Sequence, residues 1–320
     1  MESLRQLQEA INWEALRLSL KWEEWQLEGL LEEIGLLIPL GDPLTLHPTI
    51  YSRHTGLAAE ELLKAHSSVK EAFFKLAPHD RIIKKGDSNF PEGRGLPRFL
   101  YARGNLDLLK MKRVTIAGTS SVSNQGRDYT TVSVKALIER KVAIVSGLNL
   151  GIEGIAHLST LAEGGMAIGV LTTPLTETYP EAHKQLQILL GERGLLLSQF
   201  SPLTQSERWH TILRNQVMAA LSDATLIVEE RDGGGAVKQA YYALEQEKRV
   251  VLFKHLVDNR SLVWPRRLVQ KQGVFSVKSP EAIFPILFPS GVKKSPSKPL
   301  PQQFSLFEST WQRGTPSIVF

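Results

Sequence analysis

The sequence predicts an α/β fold: a Rossmann-like, doubly wound, mostly parallel sheet with an N-terminal helical domain before it and a flexible C-terminal tail after it. Three observations carry this. From residue 113 onward, short apolar runs alternate with amphipathic stretches. Glycines and hydroxyl residues cluster directly after those runs. Residues 1–80 show helical spacing instead, and residues 289–302 are rich in Pro, Ser and Lys. The expected domains are therefore 1–80, 81–288 and 289–320.

In the first segment Leu4, Leu7, Ile11 and Leu18 fall near helical spacing, and Trp13, Trp22 and Trp25 add bulk. Pro39, Gly41 and Pro43 interrupt the pattern. A second helix is expected through AAEELLKAHSSVKEAFFKLA (58–77), with Thr55 near its start as a cap.

The apolar runs are RVTIAG (113–118), VAIVSG (142–147), MAIGVLT (166–172), LLLSQF (195–200), ATLIVEE (224–230) and RVVLFK (249–254). Helix-like segments lie near 127–139, 152–163, 181–192, 209–221 and 235–247. Strands alternating with helices of this length make a parallel sheet covered on both faces. A helix near 260–272, a short VFSV strand and a helix near 279–287 complete the domain.

With 320 residues, 42% hydrophobic and 22% charged, the composition is that of a globular chain. It holds no Cys, which excludes disulfides, thiolate metal sites and a cysteine nucleophile. His47, His54, His66 and His79 are scattered without ligand spacing. No metal or cofactor is expected. No run of about 18 residues is apolar and free of charge, so no membrane span is expected. The N-terminus carries acids among its apolar positions, so no secretory signal is expected and a cytoplasmic location is. Charge is uneven: residues 1–80 hold 7 Lys/Arg against 13 Asp/Glu, while the overall net charge is +5. A basic middle behind an acidic front is compatible with a polyanionic partner.

In a doubly wound sheet, ligands bind beyond the C-terminal strand ends. After the first run comes Gly118-Thr119-Ser120-Ser121, then Asn124-Gln125-Gly126 and Arg127. Backbone N–H groups at a helix start favour an anion. After the second run come Ser146, Gly147, Gly151 and Gly154, with Glu153 and His157 four residues apart on one helix face. That pair is either an acid/base couple or a capping acid beside a packed His. The helix after the fourth run carries Trp209, His210, Arg214 and Asn215. Arg214 could hold a phosphate, and Trp209 either stacks on a base or fills the core. After the fifth run Gly233, Gly234 and Gly235 open a helix as a phosphate cradle. Arg231 and Lys238 favour an anion there, whereas Glu229, Glu230 and Asp232 oppose it. Neither G-x-G-x-x-G nor a Walker loop is present.

Taken in order, these loops resemble the DNA-processing protein A family (DprA, also called Smf). The family pattern has a G-S-R turn, then S-G-x-A-x-G-I-D-x-x-A-H, then Y-P, S-E, R-N-R, V-E and S-G-x-L-x-T-A. The matching stretches are Gly118 to Ser121, SGLNLGIEGIAH (146–157), Tyr179-Pro180, Ser198-Gln199, Arg214-Asn215-Gln216, Val228-Glu229 and Gly233 to Ala240. FPEGRGLPRFLYARGNLDLL (90–109) resembles the lead-in, and the likeness covers about residues 90–255. Several polar tips differ: the Arg of G-S-R is absent, the Asp of G-I-D is Glu153, the Glu of S-E is Gln199, the second Arg of R-N-R is Gln216, and the Ser and Thr of the last motif are Gly and Gln239.

The resemblance implies single-stranded DNA binding without turnover chemistry, self-association as a homodimer, and help in loading a RecA-type recombinase during DNA uptake. The implied phosphate contacts are Gly118, Ser120, Ser121 and Arg127 after the first strand, and Ser146, Gly147 and Gly151 after the second. Arg214 and Asn215 follow, then Gly233, Gly234, Gly235 and Lys238, with Trp209 as a stacking platform. Two lost family arginines imply weaker binding with a shallower salt slope. Gln303-Phe304-Ser305-Leu306-Phe307 resembles the Q-L-[SD]-L-F peptide that docks on the DNA polymerase sliding clamp; Gln303, Leu306 and Phe307 would be its anchors. An alternative is a Rossmann-like nucleotide sensor or a phosphoribohydrolase-type enzyme. There the glycine loop and the Glu153/His157 pair would process a nucleotide. A third reading is a scaffold paralogue with no ligand of its own.

Overall fold

Apolar runs become strands where both faces are covered, and the core of the sheet follows the sequence closely. The structure, a computed structural model, describes residues 2–288. Gln303, Leu306 and Phe307 of the tail lie outside the described residues. The six runs form β3 (Arg113–Ala117), β4 (Ala143–Ser146), β5 (Ala167–Val170), β6 (Leu195–Ser198), β7 (Ala224–Ile227) and β8 (Arg249–Phe253). VFSV is β9 (Val274–Val277). Every residue of β4 to β7 is buried.

Two strands arise where none was expected. β1 (Arg81–Lys84) and β2 (Phe99–Gly104) extend the sheet from the lead-in. β2 runs antiparallel to β6, and β1 antiparallel to β2. The order is β1-β2-β6-β5-β4-β3-β7-β8-β9, parallel from β6 through β9. Chain direction across the sheet reverses between β3 and β7, which makes their C-terminal ends the switch-point crevice.

The connecting helices are α5 (Asn124–Ile138), α6 (Ile152–Ala162), α7 (Lys184–Arg193), α8 (His210–Leu221) and α9 (Gly235–Glu245). α5 starts three residues before the expected position because the Ser123 hydroxyl accepts the Gly126 N–H at 3.0 Å. The helix expected at 260–272 is shortened to α11 (Trp264–Leu268), and a further short helix, α10 (Lys254–Asp258), forms before it. The Asn259 side chain accepts both the N–H and the hydroxyl of Ser261, fixing a turn between them. α12 (Ile283–Leu287) closes the described chain.

The N-terminal helices are α1 (Glu2–Leu20), α2 (Glu24–Gly35), α3 (Pro48–Thr55) and α4 (Ala59–Phe73). Thr55 ends α3 rather than starting α4: its hydroxyl donates to the Tyr51 carbonyl. Leu4, Leu18, Trp22 and Trp25 are exposed, whereas Ala10, Ile11, Trp13 and Leu16 are buried. The buried stripe of α1 also includes Glu9, Asn12 and Glu14, each of which has polar partners. Glu9 accepts from Lys84 and Arg98, and Glu14 from Arg17 and Ser201. Trp13 meets Phe99 edge-on at 6.1 Å. These helices share one apolar cluster with Phe99, Tyr101, Leu171, Leu190 and Leu196, and residues 1–288 form one compact unit. The acidic front is thus fastened to the basic lead-in by its own charges.

Candidate nucleic-acid interface at the strand ends

A crevice of about 360 Å³ lies over the switch point. Its walls come from Gly118, Thr119 and Ser120 after β3, from Asn149, Leu150 and Glu153 after β4, and from the cis-linked Tyr179-Pro180. Thr211 and Asn215 of α8, and Glu230, Arg231 and Gly234 to Ala236 after β7, complete it with Gln239. Gly118, Ser120, Asn215, Gly234 and Gly235 of the expected set are therefore together. Gly151 stands beside them as a structural element. It starts α6 at φ +79°, and a side chain there would strike the Thr119 carbonyl.

Arg214 is not a free phosphate ligand. It is 2% exposed, and its guanidinium donates to Glu153 in a two-pronged pair, Nη1 to Oε2 at 2.8 Å and Nη2 to Oε1 at 2.9 Å. Nη2 also donates to Asn215 Oδ1 at 2.9 Å. Glu153 Oε2 accepts the Asn149 N–H at 2.9 Å as well. Gly147 makes room for this arrangement, since a Cβ there would collide with Arg214 Nη1 and Glu153 Oε2. Asn215 is committed too: besides accepting from Arg214, its Nδ2 donates to the Gly235 carbonyl at 3.3 Å. Ser146 is fully buried, its hydroxyl donating to the Ile116 carbonyl at 2.6 Å.

Glu153 and His157 do share a helix, but they make no acid/base couple. His157 is fully buried, with Nε2 3.2 Å from the Ser146 carbonyl and Nδ1 unpartnered. Burial pushes its pKa down to about 4, so the ring is neutral at pH 7. His157 therefore packs, as the second alternative had it, whereas Glu153 pairs with Arg214 instead of capping α6.

Both expected anion nests already hold a carboxylate of the chain. At the start of α5, Glu229 Oε2 accepts the Ser123 N–H at 3.1 Å and its hydroxyl at 2.9 Å. At the start of α9, Glu230 accepts the Arg231 N–H at 2.9 Å and the Ala236 N–H at 3.0 Å. Asp232 completes the series at α11, accepting the N–H groups of Val263 and Trp264. A single tetrapeptide, Glu229 to Asp232, thus serves three helix N-termini. The sequence reading weighed these acids as opposing an anion but did not see them as occupants; their adjacency to the glycines was the available signal.

The remaining expected residues lie apart from the crevice walls. Ser121, Arg127, Gly233 and Lys238 are exposed. Trp209 is 51% exposed and donates its Nε1–H to Glu207, so it is neither core nor part of the lining. The sequence reading missed Asn149 and Thr211, and it quoted Tyr179 only as part of a motif. Together with Ser120 and Arg231, these line the crevice with side chains that make no hydrogen bond or ion pair among the described residues. Among the same residues, no helix is long and apolar enough to cross a membrane, and no cluster could hold a metal ion.

The comparisons with known proteins agree with this architecture. A protein of Bacillus subtilis named DNA processing protein DprA is 31% identical over 189 residues, 59% of this chain and 63% of that one. Its namesake from Streptococcus pneumoniae is 35% identical over 154 residues, 48% of this chain and 54% of that one. The chain thus spans between half and two thirds of these curated relatives. The crystal structure of the Streptococcus pneumoniae protein superposes with a TM-score of 0.68 at 26% identity, covering 84% of this chain and 95% of that one. A Helicobacter pylori DNA processing protein A, whose structure is described for its single-stranded DNA binding mode, shares the fold at 23% identity and a TM-score of 0.56. It covers 63% of this chain and 92% of that one. The family model for the DNA recombination-mediator protein A matches residues 81–286, from β1 to α12, a longer span than the motifs alone had marked. The chain belongs to that family.

Proposed function

We propose that this chain binds single-stranded DNA along the switch-point crevice and acts in DNA uptake or recombination, as a binding protein without turnover. The observation that carries the reading is the family match across the whole sheet, joined to an open polar crevice whose free side chains suit a nucleotide. With His157 buried and neutral and Glu153 ion-paired, the Glu153/His157 couple does not supply the general base that the phosphoribohydrolase reading asked of it. A homodimer and a RecA-type recombinase partner belong to the same proposal, as does a sliding-clamp contact through Gln303, Leu306 and Phe307.

The crevice cation is Arg231, and Arg127 and Lys238 are exposed on neighbouring helices. The test is fluorescence anisotropy with single-stranded and duplex oligonucleotides across a salt series. Single-strand preference that weakens with salt is expected, and Arg231→Ala should lower affinity and flatten the salt slope by about 0.7 per lost phosphate contact. Absence of binding at low salt would overturn the reading. Arg214→Ala is unsuited to this test, because it removes a structural ion pair.

A further inference from the structure

We propose that Glu230 is a charge filter: a carboxylate built into the α9 cradle that keeps phosphate off the crevice floor and reserves that floor for the uncharged base of a nucleotide. The proposal rests on the reading of the crevice as a DNA site. Glu230 is 6% exposed and yet lines the crevice. Its two oxygens take the N–H groups of Arg231 and Ala236, donors that a phosphate would need. The fit is mutual, since a Cβ at Gly234 would collide with the Glu230 carboxylate.

The two acids that line the crevice differ in kind. Glu153 is neutralised by Arg214, whereas Glu230 has no ion pair among the described residues. Held only by N–H dipoles, the Glu230 carboxylate has no cation set against its charge. In a partly dry crevice that charge repels a second anion strongly. Apart from Arg231, the side chains left free around it are neutral: the hydroxyls of Ser120, Thr211 and Tyr179 and the amide of Asn149. These can donate to and accept from the edge of a base. Arg231 is the cation of the lining and offers the place for a phosphate. A volume of about 360 Å³ is within the range of small-ligand pockets.

The experiment compares wild type, Glu230→Gln and Glu230→Ala in two independent arms. The first measures thermal stability in inorganic phosphate against chloride at equal ionic strength. Phosphate should raise the Tm of Glu230→Ala, in a concentration-dependent way, by clearly more than that of wild type. Equal stabilisation of wild type and both variants by phosphate would overturn the filter. Glu230→Gln keeps the shape and one acceptor oxygen, so it decides this arm if the alanine variant does not fold. The second arm titrates a single-stranded oligonucleotide across salt. Glu230→Gln should bind several-fold more tightly, with a slope steeper by about 0.7. Weaker binding by a folded Glu230→Gln would overturn the filter. If no variant binds the oligonucleotide, the DNA reading falls alone, and the phosphate arm still decides what Glu230 excludes.

Discussion

Acids do different work in two regions of this molecule. Beneath the N-terminal helices, Glu9 and Glu14 are matched by cations: Lys84 and Arg98 for the first, Arg17 for the second. Around the β7–α9 loop, Glu229, Glu230 and Asp232 are matched by backbone N–H groups at three helix starts. Glu9 holds the acidic front against the lead-in, Glu14 is matched within α1, and in both the charge is offset. The N–H-matched acids fasten helices while leaving their charge unspent at the strand ends. Glu153 lies in the second region but follows the first pattern, through Arg214. The difference teaches that an acid beside a glycine loop need not oppose the loop's role; it can already be the occupant.

The strongest way to break this comparison is Arg214→Met. It would leave Glu153 buried and unpaired, and losing one partner of a buried pair costs about 3–5 kcal/mol. A fall in Tm of many degrees is expected in a thermal melt; a shift of only a degree or two would mean that N–H donors alone satisfy Glu153. The pH axis sharpens it next. His157 has a folded pKa near 4 against an unbound reference of 6.5, so the unfolded chain takes up the proton first. Its contribution to stability is complete above about pH 6.5 and is lost as pH falls toward 4, on the order of 3 kcal/mol in all. Burial also lowers His66, His210 and His255, which push the same way. Urea unfolding of wild type beside His157→Gln, from pH 7.5 to 4.5, isolates the single group: wild type should lose more stability than the variant.

A smaller effect is expected from Arg98→Met, about 1–3 kcal/mol, because Lys84 still faces Glu9. High salt should narrow that deficit little, since Glu9 is buried. The smallest is Asp232→Ala, about 1 kcal/mol, the usual worth of a helix cap. Hydrogen exchange should show it as faster exchange confined to the Val263 and Trp264 amides. A loss as large as that of Arg214→Met would erase the distinction between the two kinds of acid.

The parallel sheet was legible because continuous apolar runs of four to six residues leave little alternative once helices separate them. β1 and β2 were not, since RIIK is short and FLYARG sits among Pro and Gly; their pairing comes from tertiary contact with β6. In the site, the glycines were legible as residues of the strand-end loops, and at Gly151 and Gly147 the missing side chain makes room for the chain's own groups. What fills that room was not. Arg214 and Glu153 are 61 residues apart, and no local pattern announces a pair across that distance. The acids of Glu229 to Asp232 could be seen, but spacing does not say which helix start each one reaches.

The switch point has a temporal consequence. β3 and β7 lie side by side, with the Arg113 N–H donating to Asp223 across 110 residues of chain. At a synthesis rate of about 5–20 residues per second, β7 emerges on the order of ten seconds after β3. During that interval one flank of β3 is an unpaired edge carrying fully apolar Val114 and Ile116. The crevice over the β3 and β7 ends thus closes only once β7 has emerged, and until then β3 presents an unpaired apolar edge to mispairing.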